Sequence, residues 1–349
     1  MDRVIYRSEH PFRAAWWLAN RHLQTLWGKF ARRNRLVATR GERWELPDGD
    51  FLDVERLDGA KDQPHLVILH GLEGTAVSHY VRSSFAEAAA REWSATLLLF
   101  RGCSGTINRS RRLYHSGETT DLDFVVRRVI AAAPGVPIVI VGFSLGGNVT
   151  LKWLGEQGAQ LPSEVVGAAT ASVPFDLARG SRYLERGFAA LYTKAFLRSL
   201  VAKAEAKVVQ YPDLPVNLAA ARRARTLWSF DDAMTAPLHG FHDAAQYYAS
   251  ASSLGFLHRI RCPALLLSAM DDPFVPPSVL DDVREVAGGN PMIVCDFPAR
   301  GGHVGFVGGA WPWRPVYFAE RRLVAWLADQ IAARDSAHAA HRAPRFPDS

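Results

Sequence analysis

Cysteine is scarce in this sequence, and the patterns that mark export or a membrane span are missing. The 349 residues include three cysteines, Cys103, Cys262 and Cys295, which are too few and too scattered for a disulfide framework or a zinc site. No secretory signal pattern is present, and no apolar run reaches the length needed to cross a bilayer. We therefore expect a protein of the reducing cytoplasm.

The motifs of nucleotide, metal and nucleic-acid binding are also missing. No Walker or G-x-G-x-x-G element occurs, and Gly302, Gly305 and Gly308 lack the strand-to-helix context of a phosphate loop. No histidine–carboxylate cluster has metal-ligand spacing. The net charge is +6, but the basic residues are spread along the chain without a nucleic-acid motif. We expect no cofactor, metal or nucleic-acid partner, and no feature of the sequence sets an oligomeric state.

What the sequence does contain is an alternation of short apolar strands with helices. Apolar runs typical of buried strands lie at 66–70, 95–100, 138–141, 165–173, 264–269 and 292–297. This alternation predicts an α/β fold with a mostly parallel sheet and helices on both faces. Residues 176–258 interrupt it with a mainly helical pattern, which predicts a cap over the sheet. We expect one domain over residues 1–334, including a packed N-terminal segment (1–40), and a disordered tail over 335–349.

The most informative stretch is the strand at 138–141 together with the turn and helix that follow it. Gly142, Ser144 and Gly146 fit the G-x-S-x-G pattern, and an apolar helix-like run continues to Gly155. A strand, a tight turn and a helix are the context in which this pentapeptide is a nucleophile elbow. The alternative is an ordinary glycine-rich loop in which Ser144 caps the helix.

A candidate acid and a candidate base follow Ser144 in the chain order serine, acid, histidine that accompanies a nucleophile elbow. A serine hydroxyl needs a base to activate it and a third group to orient that base. Asp272 follows the strand at 264–269, and His303 follows the strand at 292–297, so that both lie past the carboxyl end of a strand. Asp271 is the rival acid, although it could instead stabilise the turn.

The stretch that begins at His70 supplies candidates for an oxyanion hole. A tetrahedral intermediate needs backbone N–H donors that are already in place. The N–H groups of Leu72 and Leu145 are the candidates, one after a strand and one after Ser144. The alternative for the His70–Gly71 pair is a tight turn with no further role.

Two aromatic segments could lie near this site. Residues 12–30 place tryptophans and leucines at helical spacing among basic residues, which suits either a membrane surface or packing over the domain. We expect the packed arrangement, with at most weak peripheral membrane contact. In the cap, Phe188 and Tyr192 are candidates to line an acyl pocket.

The sequence resembles the YheT-like α/β-hydrolases, which are related to membrane-anchored eukaryotic esterases and lipases. The matching stretches span nearly the whole chain and are Asn20-Arg-His-Leu-Gln-Thr25, His70-Gly-Leu-Glu-Gly74, Arg101-Gly-Cys-Ser-Gly105, Tyr114-His-Ser-Gly-Glu118, Gly142-Phe-Ser-Leu-Gly-Gly-Asn148, Phe230-Asp-Asp-Ala-Met-Thr-Ala-Pro237, Asp271-Asp-Pro-Phe274 and Gly301-Gly-His-Val-Gly-Phe306. The resemblance implies the α/β-hydrolase fold and a serine hydrolase with Ser144, Asp272 and His303 as its triad. It suggests small-molecule esters with short or medium acyl chains, or acylglycerols, as substrates.

Two other functions fit the same residues. An acyltransferase would use the same triad with an alcohol in place of water as the acyl acceptor. A catalytically inactive hydrolase fold would serve as a binding module. The complete set of Ser144, Asp272 and His303 favours an enzyme, and we expect hydrolysis through an acyl-enzyme.

Overall fold

The computed structural model describes residues 11–32 and 36–342, and within them the sheet that the sequence predicts. In chain order the strands are β1 (Arg40–Glu45), β2 (Phe51–Leu57), β3 (His65–Leu69), β4 (Ser94–Leu98), β5 (Ile138–Phe143), β6 (Val165–Ala171), β7 (Ala264–Leu267), β8 (Ile293–Asp296), β9 (Val307–Trp311) and β10 (Arg314–Tyr317). The first eight form one sheet in the order β1-β2-β4-β3-β5-β6-β7-β8. In this sheet β2 runs antiparallel to both of its neighbours, β1 and β4, and all other pairs are parallel, so the predicted mostly parallel sheet is confirmed.

Helices occupy most of the chain between the strands. They are α1 (Arg21–Phe30), α2 (His79–Ala89), α3 (Thr120–Ala132), α4 (Leu145–Gln157), α5 (Leu177–Tyr183), α6 (Ala189–Gln210), α7 (Leu218–Arg223), α8 (Leu227–Phe230), α9 (Ala236–Leu238), α10 (Ala244–Ala251), α11 (Pro277–Gly288) and α12 (Ala319–Arg342). Short 3₁₀ turns lie at Trp16–Leu18, Gly158–Gln160 and Ser253–Arg259, and a π-turn at Asp231–Thr235 joins α8 to α9. Within the described residues, no helix is both long and apolar enough to cross a membrane.

The sheet is buried because its strands present apolar side chains to both faces. Along β5, Ile138 and Ile140 pack with α3, α4 and α11, whereas Val139 and Val141 pack with α2 and α12. All four side chains are at most 1% exposed, and burying an aliphatic side chain of this size contributes roughly 1.5–3 kcal/mol. This core fixes the carboxyl end of β5, from which Ser144 follows.

The cap lies between β6 and β7 and consists of α5 to α10. It has small apolar clusters of its own, one of which joins α6 and α7 to the π-turn region through Leu197, Ala204, Ala221, Phe230 and Met234. The predicted helical insertion is therefore present between two strands of the sheet.

One sequence expectation needs correction, and one structural element was not predicted. The last helix extends to Arg342, so residues 335–342 of the predicted disordered tail are helical, in keeping with the high helix propensity of their alanines. The β9–β10 hairpin was not predicted, because its glycines and its Trp-Pro-Trp sequence do not resemble a strand. Residues 1–10 and 33–35 of the N-terminal segment, and 343–349 of the tail, lie outside the described residues.

Candidate active site

Ser144 lies in a sharp turn between β5 and α4. Its backbone has φ 51° and ψ −120°, a conformation that L-residues rarely adopt and that strains the turn. Gly142 and Gly146 permit the turn because a Cβ at either position would meet backbone atoms within 2.7 Å. The side chain of Ser144 makes no capping hydrogen bond to α4, which removes the helix-cap alternative.

The hydroxyl of Ser144 is hydrogen-bonded to His303, which is in turn hydrogen-bonded to Asp272. The distance from Ser144 Oγ to His303 Nε2 is 3.0 Å, and His303 Nδ1 lies 3.0 and 3.1 Å from the carboxylate oxygens of Asp272. A carboxylate only accepts, so Nδ1 carries the proton and Nε2 is free to take one from Ser144. Asp272 is fully buried and accepts a further hydrogen bond from the Phe274 N–H (2.8 Å).

Asp271 occupies a different position from Asp272, although the two are adjacent in sequence. Its carboxylate accepts the N–H of Gly302 at 2.9 Å and so holds the start of the loop that carries His303. Burial raises the pKa of Asp271, while the backbone N–H groups that it accepts act in the opposite direction. The side chain that lies against the imidazole is therefore that of Asp272.

The turn after β3 lies against Ser144, and two backbone donors meet at this contact, one in the turn and one at the start of α4. A Cβ at Gly71 would be 3.2 Å from Ser144 Cβ, so this turn and the elbow are in contact. Within the described residues, neither the Leu72 N–H nor the Leu145 N–H makes a hydrogen bond to the protein. Unpaired N–H groups at such a place can bind a negatively charged oxygen.

His70 orients one of these donors. The Gly71 carbonyl oxygen accepts hydrogen bonds from His70 Nδ1 (2.7 Å) and from the Gly74 N–H (2.9 Å). Because the peptide is planar and trans, fixing this carbonyl also fixes the Leu72 N–H on the opposite side. The Phe100 N–H donates to His70 Nε2 at 3.1 Å, which places the imidazole proton on Nδ1. Burial lowers the pKa of His70 to about 4, so the ring is neutral at physiological pH.

Helix α1 supports the loop that carries His303. Thr25 Oγ1 accepts the His303 N–H at 2.9 Å, and Ser172 Oγ accepts the Val304 N–H at 2.9 Å. The Gln24 side chain is buried and bonds both the N–H and the carbonyl of Val307, at 2.8 and 2.9 Å. The described part of the N-terminal segment is thus packed beside the site. Its residues Trp16 and Phe30 remain exposed.

Aromatic side chains extend from His303 towards the cap. The Phe274 ring stacks on the His303 imidazole with centroids 4.0 Å apart, and Tyr192 lies 4.9 Å from Phe274. Phe188 is farther out, next to Tyr192 and His22, and is 46% exposed. Of the two predicted pocket residues, Tyr192 is therefore the nearer to His303.

Sequence reasoning missed several residues of this site. Phe274, Gln24 and Thr25 lie in motifs of the sequence that do not by themselves indicate a role for them. The sequence of α1 does not show that this helix packs on a loop nearly 280 residues away. No group of three or more histidine, cysteine or acidic side chains in the described part of the chain is arranged to hold a metal ion.

Comparison with known proteins agrees with the fold. A family model described as the alpha/beta hydrolase fold matches residues 64–308. YheT of Escherichia coli (strain K12), which is named as an esterase, is 38% identical over 320 residues that cover 90% of this chain and 92% of that protein. The phospholipase ABHD3 of Mus musculus is 30% identical over 306 residues, covering 84% of this chain and 72% of its own length.

Solved structures show the same fold at low identity. The esterase Pf2001 of Pyrococcus furiosus superimposes with a TM-score of 0.51 at 16% identity, covering 76% of this chain and 84% of that one. The match to the family model over residues 64–308 and the 38% identity to YheT show that the chain belongs to the α/β-hydrolase family. Within that family it is a YheT-like member, as the motif resemblance predicts.

Proposed function

We propose that this protein is a serine hydrolase that cleaves carboxylic esters through an acyl-enzyme. The observation that carries the proposal is the hydrogen-bonded series Ser144–His303–Asp272 at a strained turn beside two unpaired N–H groups. The names of its relatives support ester hydrolysis in general, since they include an esterase and, in Saccharomyces cerevisiae, a monoacylglycerol lipase that is 29% identical over 287 residues.

In the proposed reaction, Ser144 Oγ attacks the ester carbonyl carbon while His303 Nε2 takes the hydroxyl proton. The carbonyl oxygen becomes an oxyanion, and the N–H groups of Leu72 and Leu145 stabilise it. When the tetrahedral intermediate collapses, the C–O bond to the alcohol breaks and His303 returns the proton to that alcohol. Asp272 stabilises the imidazolium throughout and keeps the ring in the required tautomer.

Deacylation repeats these steps with water. His303 takes a proton from a water molecule that attacks the acyl carbon, and the second intermediate releases the carboxylic acid and restores Ser144. The aromatic row of Phe274 and Tyr192 beside the imidazole suits an apolar acyl chain. We therefore propose esters of short or medium acyl chains, or acylglycerols, as the substrate class.

The proposal is tested by labelling and turnover with matched serine variants. A fluorophosphonate probe should label the wild-type protein, and Ser144→Ala should abolish both labelling and hydrolysis of p-nitrophenyl butyrate. Ser163→Ala, which changes an exposed serine, is the control and should retain both. Labelling that persists in Ser144→Ala would refute the assignment of the nucleophile.

An acyltransferase is the second candidate, because the triad does not decide which acceptor attacks the acyl-enzyme. Product analysis with and without an added alcohol separates the two. Free acid as the main product in both conditions is expected for a hydrolase, whereas a new ester formed in preference to acid would indicate transfer.

A further inference from the structure

The turn that presents the Leu72 N–H contains a residue that is unfavourable at its position. The turn runs from Gly71 to Gly74 and is closed by the hydrogen bond between these two residues (2.9 Å). Its third residue, Glu73, has φ 57°, where a turn of this kind prefers glycine. A side chain in this left-handed region costs roughly 1–2 kcal/mol, so the glutamate must supply something that glycine could not.

The Glu73 side chain links the turn to two other parts of the molecule. Its Oε1 accepts a hydrogen bond from the Tyr114 hydroxyl at 2.7 Å and from Lys203 Nζ at 2.6 Å. The Tyr114 hydroxyl also accepts the Glu73 N–H at 3.1 Å. The side chains of Glu73 and Lys203 are 12% and 18% exposed, so this ion pair is largely shielded from solvent.

Lys203 belongs to the cap. It lies on α6, and Lys207, one helical turn later, donates to the carbonyl oxygens of Asn108 and Ser110 at 2.7 and 2.8 Å. These bonds seat α6 on the loop that follows β4, and Lys203 Nζ can reach Glu73 only while the helix is seated there. The position of the cap and the conformation of the turn are therefore mechanically linked.

We propose that Lys203 is a positioning residue through which the seated cap holds the Glu73 turn and so aims the Leu72 N–H at the oxyanion. This inference rests on the proposed function and extends it, because it makes stabilisation of the transition state depend on cap position. A bound acyl chain under the cap would then favour the same seated arrangement that completes the oxyanion hole.

The test compares Lys203→Met and Glu73→Gly with Lys194→Met, which changes an exposed lysine on the same helix. Removing an oxyanion donor costs about 10²–10³ in kcat, and a displaced donor should cost somewhat less. We expect kcat to fall about tenfold to a hundredfold in Lys203→Met and in Glu73→Gly, with little change in KM. Lys194→Met should behave as wild type.

Glu73→Gly separates positioning from folding. Glycine relieves the backbone strain at this position, which offsets part of the stability lost with the hydrogen bonds from Tyr114 and Lys203. The variant should therefore stay folded in urea unfolding while its kcat falls. The double variant should lose no more kcat than Glu73→Gly alone, because removing the Glu73 side chain already removes its link to Lys203.

Three results would overturn the inference. They are a kcat within twofold of wild type in Lys203→Met, a Glu73→Gly variant that keeps full kcat, or losses that multiply in the double variant. If the wild-type protein is active and Ser144→Ala abolishes that activity, such results refute the proposed role of Lys203 but leave the proposed hydrolase function standing. A wild-type protein that neither hydrolyses esters nor labels at Ser144 would refute the proposed function as well.

Discussion

The contact between helix α1 and the loop that carries His303 can be tested with one methyl group. A Cβ added at Gly305 would lie 2.5 Å from the Gln24 carbonyl oxygen and 2.6 Å from the Gly301 carbonyl oxygen, both of them backbone atoms. Ordinary van der Waals contact begins at 3.4 Å, so Gly305→Ala must separate helix and loop by about 0.9 Å. Gly305 has no positive φ, and the effect is therefore purely steric.

The expected destabilisation follows from two terms. Overpacking of this kind costs roughly 1–3 kcal/mol. A shift of about 0.9 Å also weakens the His303–Thr25 and Val307–Gln24 hydrogen bonds, which are worth about 1 kcal/mol each. We expect a loss of about 3 kcal/mol in unfolding free energy. With an unfolding entropy of about 2.1 cal/mol/K per residue, this corresponds to a fall of about 4 °C in Tm for 349 residues.

Activity should fall by more than stability explains. His303 is two residues from the substitution, and a displacement of about 1 Å at a reacting group can cost about 10²-fold in rate. We expect kcat to drop at least tenfold when measured well below Tm. Gly255→Ala is the control, because a Cβ there meets nothing within 4 Å. Urea unfolding and ester hydrolysis that match wild type in Gly305→Ala would refute a supporting role for α1.

Three further predictions concern the acid, the acyl pocket and pH. Asp272→Asn should lower turnover by about 10⁴, as in the serine-protease triad, and Asp271→Asn far less; the reverse ranking would reassign the acid. Across an ester series, kcat/KM should rise with acyl length to a limit and then fall. Each added methylene should lower the activation free energy by up to about 0.8 kcal/mol until the pocket is full. Tyr192→Ala should move that limit more than Phe188→Ala, and a flat wild-type profile would contradict this. Burial lowers the pKa of several histidines, to about 4 for His65 and His70 and to about 3 for His79, His115 and His239. Below about pH 6.5 these histidines bind protons in the unfolded chain but not in the folded chain. Their contribution to the free energy of unfolding is therefore fully present above that pH and is lost as pH falls. Burial also raises the pKa of Asp231 to about 6, so below that pH the folded chain binds one proton that the unfolded chain does not, which offsets part of this loss of stability. The unfolding free energy should therefore decline by more than about 1.4 kcal/mol per unit below pH 6, and a constant value in urea titrations from pH 5 to 7 would contradict it.

The sequence by itself determined the sheet and the order of the candidate site residues. Buried β-branched runs such as Ile138 to Val141 have few alternatives to a central parallel strand, because both faces must be covered by apolar surface. The elbow around Ser144 was also readable, since its meaning depends only on the adjacent strand and helix. Chain order then indicated Asp272 and His303.

Contacts between distant segments were decided only by the tertiary structure. Asp271 and Asp272 are chemically the same, and only the direction of each side chain at the end of β7 sets which one meets His303. The same holds for Thr25, which reaches the His303 loop across 278 positions of sequence, and for Lys203, which reaches Glu73 across 130. Local patterns record burial and backbone preference, whereas these contacts depend on how whole elements pack, and packing is a property of the assembled core.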